Sequence, residues 1–181
     1  MQRLFTASGH YLQRKKMAKV WSGKLKCTFH GPRHWELDKE LSFLSARAYV
    51  HLDRWKQLGV NISVPKNQGL GTKAKIKVEQ GYHTDLASIH RAAWSFIAPW
   101  DVARAAVIHD VLYEALRENK AELPAVKIKE MRKAADNVML EGMTAAQPTV
   151  PNFKIKVVYR VLRITGGMAL KHSSYRERQG W

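Results

Sequence analysis

The chain has 181 residues, of which 45% are hydrophobic, and its 31 Lys and Arg against 15 Asp and Glu give a formal net charge of +16. This length and apolar content predict one folded domain with a sizeable core and exclude an intrinsically disordered chain. The single cysteine, Cys27, excludes an internal disulfide, and no apolar run approaches the roughly 20 residues of a membrane-spanning helix, so we expect no transmembrane segment.

The positive charge is concentrated at the two ends of the sequence. Residues 1–35 contain eight Lys or Arg and no acid, residues 153–181 contain seven and one acid, and the middle contains sixteen against fourteen. Basic ends of this kind are typical of contacts with nucleic acid, an anionic membrane or an acidic protein, and also of solvated tails that aid solubility. The candidate contacts to DNA or another anionic partner are Arg14, Lys15, Lys16 and Lys19.

The predicted organisation is a single α+β domain over residues 17–170, with a basic arm at residues 1–16 and a basic tail at residues 171–181. Short alternating or β-branched runs, separated by Gly, Pro and Asn, predict a small, mostly antiparallel sheet in the N-terminal half. The predicted strands are residues 20–29, 35–37, 42–44, 62–64 and 74–78.

Residues 45–73 are predicted to be a helix-and-loop insertion in this sheet. RAYVHLDRWKQLG has helical periodicity and ends at Gly59, which suits a helix C-cap, and PKNQGLG is typical of a loop. The histidines His10, His30, His34, His51 and His172 show no ligand spacing, and we expect them at the surface.

The C-terminal half has the pattern of three to four helices. The predicted helices run from a cap at Asp85 or Ser88 to about Pro99, from a cap at Asp101 to about Glu118, from Pro124 to about Gly142, and over residues 153–170. The last helix has Val157, Val161, Ile164 and Met168 on one face, the spacing of an apolar stripe.

The stretch AAVIHDVLYEAL, residues 105–116, is almost entirely apolar yet contains His109, Asp110 and Tyr113. Apolar residues three, four and seven positions away place the His109 imidazole on the packing face of a helix. Asp136 has apolar residues at the same spacings, so it is a carboxylate directed into an apolar face. An unpaired buried carboxylate is unfavourable, and the candidate partners are His109, Tyr113 and Arg132.

Two interpretations of this cluster stay open. In the functional one, Asp136 orients His109 through one ring nitrogen while the other takes a proton from water or a hydroxyl, with Tyr113 beside them. Asp110 and Asp85 then hold a divalent cation such as calcium, which polarises the substrate. In the structural one, a buried His–Asp–Tyr network fixes how two helices cross.

Four motifs in order, GYHTDLASIHR, AAVIHDVLY, RKAADNVML and YRVLRITGG, resemble a family that tailed phages and prophages often encode, called domain of unknown function 1353. The resemblance covers about residues 17–170. The chain departs from the family pattern at His90, where Pro is usual, and in the insertion at residues 45–73. The resemblance implies a phage particle or a phage operon.

A more distant similarity is to phospholipase A(2)-type enzymes, whose helix bears His-Asp-x-x-Tyr and whose second helix supplies an Asp to the His. It implies that His109 is the base, Asp110 a calcium ligand and Asp136 the residue that orients the base. The glycine-rich calcium loop and the flanking cysteines of those enzymes are missing from this sequence.

These observations lead us to expect a bacteriophage virion-associated structural protein of the tail or tail-to-head region, made in the host cytoplasm and part of a homo- or hetero-oligomer. Its basic ends would contact other virion proteins or DNA. The alternative is a His/Asp-dependent, calcium-assisted hydrolase that acts on a host envelope component. A third interpretation is an intracellular phage accessory protein that binds nucleic acid.

Overall fold

The computed structural model describes residues 20–31, 34–66, 72–85 and 99–170, in which short strands precede long helices. The strands are β1 (Cys27–Gly31), β2 (His34–Leu37), β3 (Leu41–Ser45), β4 (Ile62–Ser63), β5 (Ala74–Val78) and β6 (His83–Thr84). The helices are α1 (Ala46–Tyr49), α2 (Leu52–Gln57), α3 (Pro99–Glu118), α4 (Ala125–Thr144) and α5 (Asn152–Ala169). The predicted α+β fold is confirmed.

The strands form two three-stranded antiparallel sheets, with the orders β1-β2-β6 and β3-β5-β4. In β5 the apolar residues Ala74, Ile76 and Val78 are buried and alternate with two lysines, which is the period of a strand with one face on the core. The prediction of a strand at residues 20–29 is wrong for its first part, because strand β1 begins at Cys27. Trp21 instead stacks its ring on Phe43 and makes an isolated bridge to it.

The helical segment between the paired strands β3 and β5 is divided into α1 and α2, rather than continuous as its periodicity suggested. It ends where predicted, since Gly59 has a φ of +81°, a left-handed conformation that glycine adopts without strain. Glu141 of α4 caps the start of this segment. Its carboxylate accepts hydrogen bonds from the Ser45 hydroxyl and from the backbone N–H groups of Ala46 and Arg47.

The boundaries of the long helices lie close to the predicted ones. Helix α3 begins at Pro99, two residues before the predicted cap, and ends at Glu118 as predicted. Helix α4 follows Pro124 and continues to Thr144, two residues past the predicted end. Residues 86–98, which contain most of the predicted short helix and Ser88, lie outside the described residues.

The buried apolar residues of the sheets and helices form one continuous core. Helix α4 approaches α3 closely at Gly142, where a side-chain Cβ would lie 3.1 Å from the Ala105 Cβ and 3.2 Å from the Trp21 ring. None of the helices in the described ranges has the combination of length and hydropathy that crossing a membrane requires.

Helix α5 packs on the core through a face other than its apolar stripe. Ile155, Val158 and Leu162 are buried, whereas Ile164 is 79% exposed and Met168 51% exposed. Helix α5 therefore has two apolar faces, and only one of them packs on the core. The stripe at residues 157, 161, 164 and 168 lies outside the core.

Candidate functional site

Three long helices bring a buried polar cluster together in the core. His109 and Tyr113 lie one turn apart on α3, and both are directed at Asp136 of α4. The distance from His109 Nε2 to Asp136 Oδ1 is 3.0 Å, and the Tyr113 hydroxyl donates to the same oxygen at 2.7 Å. His109 is 1% exposed and Asp136 is fully buried. The structure therefore brings together all three residues predicted for the catalytic cluster.

The second carboxylate oxygen of Asp136 is bound by a residue that the sequence interpretation missed. Arg163 of α5 donates from Nη1 to Asp136 Oδ2. Arg132, one of the three candidate partners, instead donates from Nη2 to the backbone carbonyl of Arg163 at 3.5 Å. The cluster thus has four members on three helices, and a cation compensates the buried charge of Asp136.

Gly166 explains how α5 comes close enough to the cluster for Arg163 to reach it. A Cβ at residue 166 would overlap the Tyr113 hydroxyl and lie 3.5 Å from Arg132 Nη1. The Gly166-Gly167 pair, three and four residues after Arg163, was the available sequence signal, since small residues let two helices approach closely. The side chain that needs the space belongs to another helix, however, and the sequence does not name it.

The hydrogen bonds of the cluster set the ionisation of its members. Burial alone would raise the pKa of Asp136, but hydrogen bonds from His109, Tyr113 and Arg163, together with the charge of His109, outweigh it and hold that pKa below its ordinary value. Burial first, and then the charge of Asp136 and the hydrogen bond to it, raise the pKa of Tyr113 well above its ordinary value. Asp136 is therefore an anion, and Tyr113 stays a protonated donor.

The two ring nitrogens of His109 have different environments. Nε2 faces the Asp136 carboxylate, whereas Nδ1 is buried and has no hydrogen-bond partner among the described residues. An ionised carboxylate only accepts hydrogen bonds, so Nε2 is the protonated nitrogen. In the neutral ring the lone pair is then on Nδ1, which can take up a proton.

Asp110 and Asp85, the residues predicted to hold a cation, lie where β6 meets α3. The Thr84 hydroxyl donates to Asp110 Oδ2 at 2.7 Å, and Asp85 follows Thr84 directly. In the described part of the chain, no group of three or more His, Cys, Asp or Glu side chains could hold a metal ion. The described side chains alone therefore do not make up a metal site there, and the binding of a cation by Asp110 and Asp85 stays a prediction.

His30 and His34, which we expected at the surface, lie together with His83 on the β1-β2-β6 sheet. His34 Nε2 is 2.9 Å from His83 Nδ1, and His30 Nε2 is 2.8 Å from Glu36 Oε2. The His30 and His34 rings stack with their centroids 4.9 Å apart. Partial burial, followed by the charges of His83 and His30, lowers the pKa of His34, and Glu36 opposes this effect. His10 and His172, also expected at the surface, lie outside the described residues.

The basic residues proposed to contact an anionic partner, Arg14, Lys15, Lys16 and Lys19, lie outside the described residues. This prediction therefore rests on the sequence alone, on the excess of positive charge in residues 1–35.

Comparison with protein families gives a match to the model described as Protein of unknown function (DUF1353), over residues 62–161 of the 181. The matched segment contains β6, α3 and α4, and therefore His109, Tyr113 and Asp136, while Arg163 lies two residues beyond it. No curated protein and no solved structure matches the chain. Because the family model covers more than half of the sequence, the chain belongs to the DUF1353 family.

Proposed function

We propose that this protein is a hydrolase in which His109, oriented by Asp136, acts as the general base that activates water. The observation that carries the proposal is the environment of the His109 ring. Nε2 is fixed on an ionised carboxylate, and Nδ1 lies inside the protein with no partner among the described residues. Leaving a buried nitrogen unpaired costs about 1–3 kcal/mol, so this arrangement favours a use for the Nδ1 lone pair.

The chemistry that follows is the hydrolysis of an ester of a host envelope component. Water gives a proton to His109 Nδ1 while its oxygen forms a bond to the ester carbonyl carbon. Collapse of the tetrahedral intermediate breaks the bond to the leaving group, which takes the proton back from Nδ1. The negative charge of Asp136 stabilises the imidazolium that exists between these two transfers.

Tyr113 and Arg163 serve as positioning residues in this scheme. Both bind the carboxylate of Asp136, one on each oxygen, and so fix the direction in which it faces His109. The similarity of the His109-Asp110-x-x-Tyr113 helix to that of phospholipase A(2)-type enzymes supports the same roles, because there too an Asp on a second helix binds the histidine. The competing explanation is that the four side chains only hold α3, α4 and α5 together.

The test compares turnover and folding in one pair of variants. The native protein is assayed on phospholipid vesicles, cell-wall fragments and a chromogenic ester, alongside His109→Asn and the control His51→Asn. His51 is a partly exposed histidine of the α1–α2 segment whose Nδ1 lies 3.9 Å from Glu130. We expect turnover by the native protein and the control, and a loss of at least about a hundredfold in His109→Asn. Urea unfolding of each variant shows whether the protein remains folded.

Two results would count against the hydrolase. One is the absence of turnover by the folded native protein on all three substrates. The other is a His109→Asn variant that retains its turnover. A measurement that needs no substrate is the ¹⁵N NMR spectrum of the His109 ring, which should report the proton on Nε2; a neutral ring protonated on Nδ1 could not act as the base.

A second proposal concerns where the protein acts, and the concentration of charge at the two chain ends favours it. We propose that it is associated with a phage particle, as a structural protein of the tail or tail-to-head region, and that its basic ends contact neighbouring virion proteins or DNA. A particle component can also be a hydrolase, so the two proposals are compatible. Residues 1–35, with eight Lys or Arg and no acid, are the observation that supports it.

Mass spectrometry of purified phage particles tests this location, and absence of the protein from them would refute it. The DNA contact is tested separately. Affinity for duplex DNA should fall as salt rises and should weaken when Arg14, Lys15, Lys16 and Lys19 are replaced by Gln. Salt-dependent DNA binding by a protein that never enters the particle would instead indicate the intracellular accessory protein.

A further inference from the structure

Helix α5 has a second apolar face, which lies on the outside of the protein. Phe153 is 63% exposed, Val157 37%, Ile164 79% and Met168 51%. With the partly exposed Val161, these residues lie four, four, three and four positions apart, so they form one stripe along the helix. Single exposed apolar residues are ordinary on protein surfaces, but a contiguous exposed stripe marks an interaction site. We call residues 153, 157, 161, 164 and 168 the outer stripe.

Within α5, the charged residues beside the outer stripe are all basic. At about 100° per residue, Lys156 and Arg160 project along one edge of the stripe and Lys154 along the other. Helix α5 contains no Asp or Glu. Lys156 and Arg160 make no ion pair within the described residues, although they are one turn apart, where like charges repel each other. A partner with negative charge would stabilise this arrangement.

We propose that the outer stripe binds the surface of an anionic phospholipid membrane, with α5 lying parallel to it. An apolar stripe with basic residues on both edges is the pattern of helices that bury one face at the boundary between headgroups and acyl chains. The stripe extends over about 22 Å, from the helical rise of about 1.5 Å per residue. The formal charge of +16 attracts the whole protein to such a surface.

Charge and composition favour a membrane over other partners. A second copy of this chain would place two rows of basic residues against each other, which disfavours association through α5. At protein–protein interfaces lysine is depleted, whereas here lysines lie along both edges of the stripe. An acidic amphipathic helix is the remaining protein partner, and binding to lipid vesicles distinguishes a membrane from it.

The surface next to the outer stripe also suits a lipid. Lys156 and Arg160 border an open groove of about 290 Å³ between α4 and α5, whose floor includes Leu140, Ile155 and Tyr159. An anionic headgroup held by the two cations would therefore have apolar surface on both sides, the stripe and the groove. The proposal does not depend on the hydrolase, because none of these residues belongs to the His109 cluster.

The experiment is co-sedimentation of the full-length protein with phosphatidylcholine vesicles, with and without phosphatidylglycerol. We expect binding only to the anionic vesicles. Ile164→Gln should weaken binding about tenfold, because it removes a large apolar side chain from the contact. Lys156→Gln and Arg160→Gln should each weaken it about fivefold. All three side chains are outside the core, so the variants are expected to fold.

Two matched controls keep the result specific to α5. Val126→Gln changes a valine of α4 that is 77% exposed, and Lys129→Gln removes an exposed charge from the same helix. Both should bind as the native protein does. Equal losses in the controls, binding that Ile164→Gln leaves unchanged, or no binding by the native protein would overturn the proposal. So would binding of an acidic amphipathic peptide, but not of vesicles, that Ile164→Gln abolishes.

Discussion

Replacing Gly166 with alanine tests whether α5 lies directly against the buried cluster. A Cβ at this position would overlap the Tyr113 hydroxyl and lie 3.4 Å from the Tyr113 Cζ. Overpacking a core contact costs about 1–3 kcal/mol, and alanine in place of glycine recovers up to about 1 kcal/mol in a helix. The difference between these two effects is about 0–2 kcal/mol. The overlap with the Tyr113 hydroxyl puts the net loss of unfolding free energy in the upper half of this range, about 1–2 kcal/mol, which lowers the melting temperature by about 2–8 °C.

The neighbouring glycine provides the control. A Cβ at Gly167 would lie 3.3 Å from Arg132 Nη1, which is the end of a long, flexible side chain. The guanidinium can move by a few tenths of an ångström, so Gly167→Ala should be as stable as the native protein or up to about 1 kcal/mol more stable. Urea unfolding followed by circular dichroism measures both variants under identical conditions.

A double-mutant cycle assigns the Gly166 effect to the hydroxyl of Tyr113. Tyr113→Phe alone loses a hydrogen bond to ionised Asp136 and should cost about 1.5–3 kcal/mol. In that background Gly166→Ala should cost about 1 kcal/mol less than it does alone, because the overlapping atom is gone. Overlap with the Tyr113 hydroxyl is refuted as the cause if Gly166→Ala lowers the unfolding free energy equally in both backgrounds. It is also refuted if the Gly166→Ala variant is as stable as the Gly167→Ala variant.

Three further predictions concern contacts that hold the fold. Because the folded-state pKa of Asp136 lies below its ordinary value of 3.8, the stability from its ionisation is complete above that pH and is lost as the pH falls below it. As the pH is lowered through 3.8, the urea midpoint of Asp136→Asn should fall less steeply than that of the native protein. Parallel plots of midpoint against pH would contradict this role of Asp136. Glu141→Ala should cost about 1–3 kcal/mol in urea unfolding, because it leaves the Ser45 hydroxyl and two backbone N–H groups at the start of α1 without their acceptor; unchanged stability would exclude this role for the carboxylate. Arg104→Lys should cost about 1–2 kcal/mol in the same assay, because lysine cannot bind two backbone carbonyls and also stack on the Trp21 ring. A urea unfolding curve equal to the native one would show that the guanidinium group is not needed.

The sequence predicted the centre of the cluster because helical periodicity encodes it locally. His109 and Asp136 each have apolar residues three, four and seven positions away, and this spacing alone places a polar side chain on the buried face of a helix. A buried carboxylate needs donors, so its pairing with His109 and Tyr113 followed once the two helices were assumed to pack. The structure confirms that Asp136 is paired with His109 and Tyr113.

The sequence did not predict the partners that depend on the packing of distant segments. Arg132 and Arg163 are both cations that could pair with Asp136. The packing of α5 against α4 decides that Arg163 is the one that binds it. The cluster of His34 and His83 depends on the register of β2 and β6, which joins residues 49 positions apart. The contact from Thr84 to Asp110 has the same origin, because β6 has only two residues and little strand signal of its own.

The rotation of α5 about its axis explains both the buried cluster and the exposed stripe. The helix contains two apolar stripes, and hydrophobic periodicity gives no reason to bury residues 155, 158 and 162 in preference to 157, 161 and 164. The contacts of Arg163 and Gly166 do give one, because Arg163 must reach Asp136 and residue 166 must lie against Tyr113. At about 100° per residue, Ile164 and Met168 then each lie about 160° from Gly166 around the helix, facing away from the core. The polar cluster thus determines which apolar face is left outside, and releasing α5 from Asp136 by Arg163→Met should alter vesicle binding as well as stability.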